Sequence, residues 1–310
     1  MIRLAGRRLF YMAITMLAAS LLLFLLFELT PNDVAVQALG QYTTPEQRAL
    51  WLTQNGYDRP APERYVAWLA KCIQGDFGMS RIFNAPVARV VSDRLFNTAV
   101  LATAFFALLV PISLALGVLA GMREGSWFDR LISIGTIITT SVPPFASTVL
   151  FSAILVFWLN WLPGTSSMAD GFSLRELIMP VVVLLLYDLG YVVRITRASM
   201  IDVMTMPYMR TALLKGIPYH RAIWRHALRN ALIAPFTVLM LHINWLVGGV
   251  IVVEFFFAYK GFGSLILEAA FNRDLFLIEA CTMVTVVIAV GSQTIADIGY
   301  TYLNPRIRFA

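Results

Sequence analysis

The chain has 310 residues, 59% of them hydrophobic and 14% charged, with a mean hydropathy of +0.73. Those values exclude an ordinary soluble domain and predict several apolar runs of the ~20 residues that cross a bilayer. The net charge of +6 follows from the positive-inside rule and calls for no nucleic acid, while Cys72 and Cys281, one in a polar segment and one in an apolar run, offer neither a disulfide nor a metal-binding spacing.

The first apolar run, about Leu9–Leu29, is too long for the core of a signal peptide and has no small-residue cleavage site after it, so it reads as a retained span. A polar region follows, from Thr30 to Arg94. Within it "TTPEQ" places Thr44 as a helix cap, Pro45 at the first helical position and Gln47 to complete a capping box. That helix stops near Asn55-Gly56, and a second runs from Pro62-Glu63 to just before Gly75. The region reads as a small folded unit.

Span two is expected over about Asn97–Ala120, with Gly117 and Gly121 at the spacing that lets helices approach closely. Span three, about Leu131–Leu159, is interrupted by Pro143-Pro144, which should kink or break it. Span four is expected over about Leu177–Ile201, span five over about Leu232–Phe257 and span six over about Leu277–Leu303. "AYKGFGSLILEAAFNRDLF" is read as the loop between the last two spans.

Six spans put both termini on one side. With the amino end inside, the inner segments hold 14 of the 24 Lys and Arg and only Glu124, Asp129 and Asp202 as acids. The Thr30–Arg94 region is nearly balanced, with seven bases and six acids. The asymmetry places both termini in the cytoplasm and the folded region outside. The expected fold is therefore an all-α integral membrane protein. It is a single transmembrane domain over 1–310, with an outer loop over 30–95, core spans over 96–303 and a cytoplasmic segment over 207–230.

That last segment is the unusual one. "RTALLKGIPYHRAIWRHALRN" carries five Lys or Arg, two His and no acid, around a central Gly216-Ile217-Pro218. Pro207 can open a first short helix and Gly216 can close it with a left-handed cap. A second helix runs from about Tyr219 to Asn230. Arg221, Arg225 and Arg229 share one of its faces, and Trp224, Ala227, Leu228 and Ala231 form an apolar stripe beside them. Such an element suits either an anionic lipid surface or a cytoplasmic partner that pushes on a rigid lever.

"RTALLKG" followed by "NALIAP" resembles the signature of permeases of ABC importers, with Arg210-Thr211-Ala212 in place of the usual Glu-Ala-Ala type and Gly216 at the glycine position. "NGYDRPAPERYVAWLAKCIQGDFGMS", "APVARVVSDRLFNTAVLA", "REGSWFDR", "SVPPF", "VRITRASMIDVM", "GGVIVVEFFFAYKGFGSLILEAAFNRD" and "NPRIRF" extend the resemblance over nearly the whole chain. They are similar to the first permease subunit of dipeptide, oligopeptide and nickel importers. Asn304 departs from the Asp usual before Pro-Arg, and no functional reading attaches to it.

The resemblance implies a multi-pass protein of the bacterial cytoplasmic (inner) membrane. It implies a second homologous permease, two ATPase subunits that bind ATP and Mg, and a periplasmic or lipid-anchored solute-binding protein. It also implies that Arg210, Thr211, Ala212, Gly216, Pro218, Arg221, Trp224 and Arg225 form the coupling element that docks on an ATPase. No phosphate-binding loop, zinc-protease or serine-hydrolase motif occurs in the sequence, so no catalytic residue, cofactor or metal is expected in this chain.

For the solute pathway, Asp188 stands in the middle of span four, where ionisable groups are functional candidates; pairing with Arg194, Arg197 or a partner helix is the alternative. Pro143 is a candidate hinge and Glu254 a further intramembrane acid. The turns around Asp58 and Asp76 are candidates for contact with the binding protein. The alternative function is an ATP-independent secondary transporter or channel, which predicts inverted repeats and charges in several spans; no clear repeat is visible.

Overall fold

A computed structural model describes residues 2–28, 35–36, 39–40, 42–169 and 171–303. The described chain is almost entirely helical. Helix α1 is Ile2–Glu28, α2 Pro45–Gln54, α3 Ala61–Ile73, α4 Val87–Met122, α5 Trp127–Ser141 and α6 Pro144–Phe151, which a π-helical segment, Ser152–Trp158, continues. Helix α7 is Leu174–Met204, α8 Pro207–Leu214, α9 Tyr219–Ala231, α10 Ile233–Phe256, α11 Phe262–Phe271 and α12 Leu275–Leu303. A two-stranded antiparallel hairpin, β1 Met79–Ser80 and β2 Ala85–Pro86, precedes α4.

Among the described residues four helices are long and apolar enough to cross a membrane, and up to six spans result if two bent helix pairs each count as one. One pair, α5 with α6 and its continuation, bends by 99° at Val142-Pro143. Pro143 is the cap of α6 and Pro144 its first residue, as a residue without an N–H prefers. The expected interruption of span three is thus a full break. The helix that holds span two, α4, starts at Val87, ten residues before the expected Asn97, and is 36 residues long.

The chain groups into two compact units, residues 1–98 with 260–294 and residues 99–259 with 295–310. In the first, Thr44 accepts from the Gln47 amide while the Gln47 side chain accepts from the Thr44 amide, the reciprocal capping box. Asp274 is its hub. One carboxylate oxygen accepts from Ser80 Oγ at 2.7 Å and from the Arg81 and Ile82 amides, which pins the hairpin turn. The other accepts from the Leu277 amide and caps α12.

The stretch after α10, expected to be loop, carries the ten-residue helix α11. Two turns that lack glycine bound it: Ala258 and Arg273 both hold a φ of 52°. The tail, with Asn304, Arg306 and Arg308, lies outside the described residues.

In the second unit the core is built on α7. Leu177, Val181, Leu184, Leu185 and Val192 pack with Leu101, Phe105 and Leu109 of α4 and with Val250 and Val253 of α10. Gly190 brings α5 against α7, since a Cβ there would meet the Thr136 carbonyl oxygen at 2.6 Å and the Thr140 methyl at 2.8 Å. Burial of this kind contributes about 1.5–3 kcal/mol per large apolar side chain against water; against lipid the close fit of backbones takes over that role.

Candidate functional site

The basic segment folds as two helices around a tight turn. Pro207 is the first residue of α8, as expected. At its end the Gly216 amide donates to the Leu213 carbonyl (3.0 Å) and the Ile217 amide to the Ala212 carbonyl (3.2 Å). With φ of +79° at Gly216, this is a Schellman motif, a left-handed conformation that glycine adopts without a Cβ penalty. Pro218 then caps α9. Helix α9 contains a π-type turn over Ile223–Ala227, which shifts its register by one residue.

That shift corrects the apolar stripe. The buried face is Ala222, Ile223, Ala227 and Ala231, packed with Met209 of α8 and with Met200 and Val203 of α7. Leu228 is half-buried beside it. Trp224 is not part of the stripe: it is 76% exposed. Arg210, Thr211, Arg221, Arg225 and Arg229 are exposed as well, whereas Ala212 is buried. The Ser199 hydroxyl donates to the Ala231 carbonyl at 2.8 Å, which ties α9 to α7. The element therefore presents a cationic surface with one projecting tryptophan, on a base fixed to α7.

Near that surface Arg197 and Asp129 form a bidentate pair, Nε with Oδ1 and Nη2 with Oδ2 at 2.8 Å. Asp129 is buried, and its Oδ2 also accepts from the Gly125 amide. Arg197 is thereby removed as a partner for Asp188.

Asp188 lies halfway along α7, with its side chain 4% exposed. Its Oδ1 is 3.1 Å from His242 Nε2, on α10. Its Oδ2 is buried without a hydrogen-bond partner. The two residues open onto a cavity of about 420 Å3 in the second unit, whose polar lining also includes Thr140, Tyr187, Tyr191 and Arg194. Val238 and Leu241 supply the apolar side. Sequence reasoning missed His242; it stands 54 residues from Asp188, and no spacing rule joins positions on two helices. Pro143 and Glu254 do not line the cavity. Glu254 is fully buried on α10, where its carbonyl accepts from the Tyr259 amide.

In the first unit Asp58 and Asp76 are exposed on the turns after α2 and α3. Asp76 Oδ1 accepts from the Gly78 amide at 3.1 Å. Arg64 stacks on Tyr57 beside the first turn, 4.9 Å from the ring centre. Among the described residues no group of three or more His, Cys, Asp and Glu could hold a metal ion.

Residues 113–309 match the family described as binding-protein-dependent transport system inner membrane component, and residues 1–102 match its N-terminal companion. The chain is 33% identical over 298 residues to a putative peptide transport system permease protein of Brucella abortus, covering 95% of both chains. It is 32% identical over 307 residues, 98% of both, to a probable peptide ABC transporter permease protein of Sinorhizobium fredii. It is also 32% identical over 301 residues, 95% of both, to the oligopeptide transport system permease protein AppB of Bacillus subtilis.

Proposed function

The chain belongs to the family of inner-membrane components of binding-protein-dependent transport systems: it is the multi-pass permease subunit of an importer and not its ATPase, and on that premise we propose that it moves peptides or related small solutes. The names of its relatives support that solute class. In this reading the chain crosses the membrane six times with both termini in the cytoplasm. It pairs with a second homologous permease, binds two ATPase subunits that hold ATP and Mg, and receives solute from a periplasmic or lipid-anchored binding protein. The outer turns at Asp58 and Asp76 face that protein, and the chain itself carries no cofactor.

The observation that carries the coupling role is the exposed Trp224 on a cationic helix whose opposite face is locked to α7. A helix fixed to a span by Ile223, Ala227 and Ala231 transmits a push. An exposed indole is the kind of side chain that dominates protein contacts. Arg210, Thr211, Arg221 and Arg225 surround it, while Gly216 and Pro218 set the angle between the two helices.

The test is a detergent pull-down with the co-expressed ATPase subunits. Wild type retains an ATPase; Trp224→Ala weakens retention about tenfold or more, as loss of a hot spot does. Gly216→Pro, which cannot adopt a positive φ, inserts in the membrane but loses the ATPase. Undiminished binding by both variants would assign the segment to the lipid surface instead.

A further inference from the structure

The Asp188 cavity carries more than a lone intramembrane acid. The backbone carbonyl of Val238 lies 2.8 Å from His242 Nδ1. A carbonyl oxygen only accepts, so Nδ1 bears a hydrogen. Nε2 and Oδ1 must then share one further hydrogen across their 3.1 Å, and the pair is neutral overall wherever that hydrogen sits. A neutral pair is tolerated in a bundle where an isolated charge is costly. It leaves one acceptor unsatisfied, Asp188 Oδ2. Buried carboxylate oxygens are ordinarily bonded, and Asp188 lines a space of about 420 Å3, within the range of small-ligand sites.

The same cavity has a cationic end. Arg194 also lines it and stands six residues beyond Asp188 on α7, ~9 Å along the axis at 1.5 Å per residue. An extended peptide advances ~3.5 Å per residue, so the termini of a two- or three-residue peptide are separated by a similar length. Tyr187 and Tyr191 flank the interval, with the Tyr191 ring 5.9 Å from that of His242. Asp188 is also near the middle of a helix long enough to span the bilayer, the depth at which transporters hold their solutes.

We propose that this cavity is a transit subsite for a short zwitterionic peptide, whose ammonium donates to Asp188 Oδ2 while its carboxylate meets Arg194. The inference rests on the importer reading and narrows its solute to peptides with free termini. Because the acceptor belongs to a neutral pair, the hold is weak enough to release the peptide, as a site on a pathway must.

The experiment uses the assembled importer with Leu241→Cys as a sensor at the cavity wall, in a Cys72→Ser, Cys281→Ser background. Labelling of the sensor by N-ethylmaleimide is timed with millimolar trialanine, N-acetyl-trialanine or trialanine amide. Trialanine is expected to protect, and each blocked peptide to protect roughly tenfold more weakly, the worth of one charge-assisted hydrogen bond. Asp188→Asn should erase the difference between free and acetylated peptide, and Arg194→Gln that between free and amidated peptide. The three-peptide comparison on native Asp188 decides the matter even if the Asn variant does not assemble.

Equal protection by all three peptides, no protection, or a sensor thiol that the maleimide cannot reach in the assembled complex overturns the proposal. ATPase retention in the same preparation separates that outcome from failure of the importer reading.

Discussion

Gly117 of α4 lies so close to Thr196 of α7 that a Cβ on the glycine would stand 2.4 Å from the Thr196 Cβ and 2.8 Å from the Val193 carbonyl oxygen. One turn on, a Cβ at Gly121 would meet the Met200 Cβ at 2.7 Å. The pair of glycines is thus a groove that receives the backbone of α7, the small-residue packing that joins helices in lipid. Gly117→Leu is expected to force the helices apart and to cost about 1–3 kcal/mol, as overpacking does. The check is a lower melting temperature and a reduced yield of folded protein in detergent, with Gly135→Leu, at a position with nothing within 4 Å of its Cβ, as the unaffected control.

The Asp129–Arg197 pair fixes the start of α5 against the carboxy-terminal half of α7. Arg197→Ala leaves the Asp129 carboxylate without its bidentate partner, and because Arg197 is partly exposed such a loss costs about 1.5–3 kcal/mol. Arg197→Lys should recover only part of it, since an ammonium cannot reproduce the guanidinium fork. Removal of both charges, Asp129→Asn with Arg197→Gln, should be milder than Arg197→Ala alone. Thermal unfolding of the four proteins in one detergent measures the order. Equal melting temperatures for Arg197→Ala and wild type would show that the pair is solvated and contributes nothing.

Much of this fold was legible because the sequence marks it locally. Thr44, Pro45 and Gln47 spell a capping box, Asn55-Gly56, Gly75 and Gly216 mark helix ends, and Pro143-Pro144 marks the break. Helix α11 escaped notice because Ala258 and Arg273 adopt left-handed turns that composition does not announce. The place of Trp224 was misread because a π-type turn moved the buried face by one residue, and no residue pattern announces such a turn. Of the candidate site, Asp188 stood out as an acid in an apolar run. His242 did not, because only tertiary packing brings α10 to α7. Asp274 carried a readable signal, an acid just before an apolar run; its second task, holding the turn after Ser80, is a long-range contact.

Those two unmarked turns make a stability prediction. Ala258 and Arg273 each follow a helix end at φ 52°; at the second turn the Arg273 amide donates to the Ala270 carbonyl and the Asp274 amide to the Ala269 carbonyl. A left-handed residue with a Cβ carries about 1–2 kcal/mol of strain, and the Arg273 side chain is exposed. Arg273→Gly should therefore stabilise the protein, offset by the extra freedom glycine has when unfolded, for a net gain of about 0.5–1 kcal/mol. A rise of the melting temperature in detergent is the expected result, and a fall would mean that the side chain makes a contact worth more than the strain.

Cys72 tests the packing of α3. It lies in α3, and burial, then the Glu279 and Asp76 carboxyl groups, push its thiol up to about 12. Only the thiolate attacks a maleimide, so Cys72 should react ~10^3-fold more slowly at pH 8 than an ordinary thiol of pKa ~8.5. Its rate should climb about tenfold per pH unit up to about pH 11, where an ordinary thiol levels off near about pH 9. The same shift bears on stability. Between the ordinary thiol pKa and about 12 the folded form binds more protons than the unfolded one, so the contribution is complete below that window and is lost as pH rises through it. Cys72→Ser should remove that alkaline slope. Rapid labelling of Cys72 at pH 8, on Cys281→Ser protein, would show that α3 stands away from Glu279.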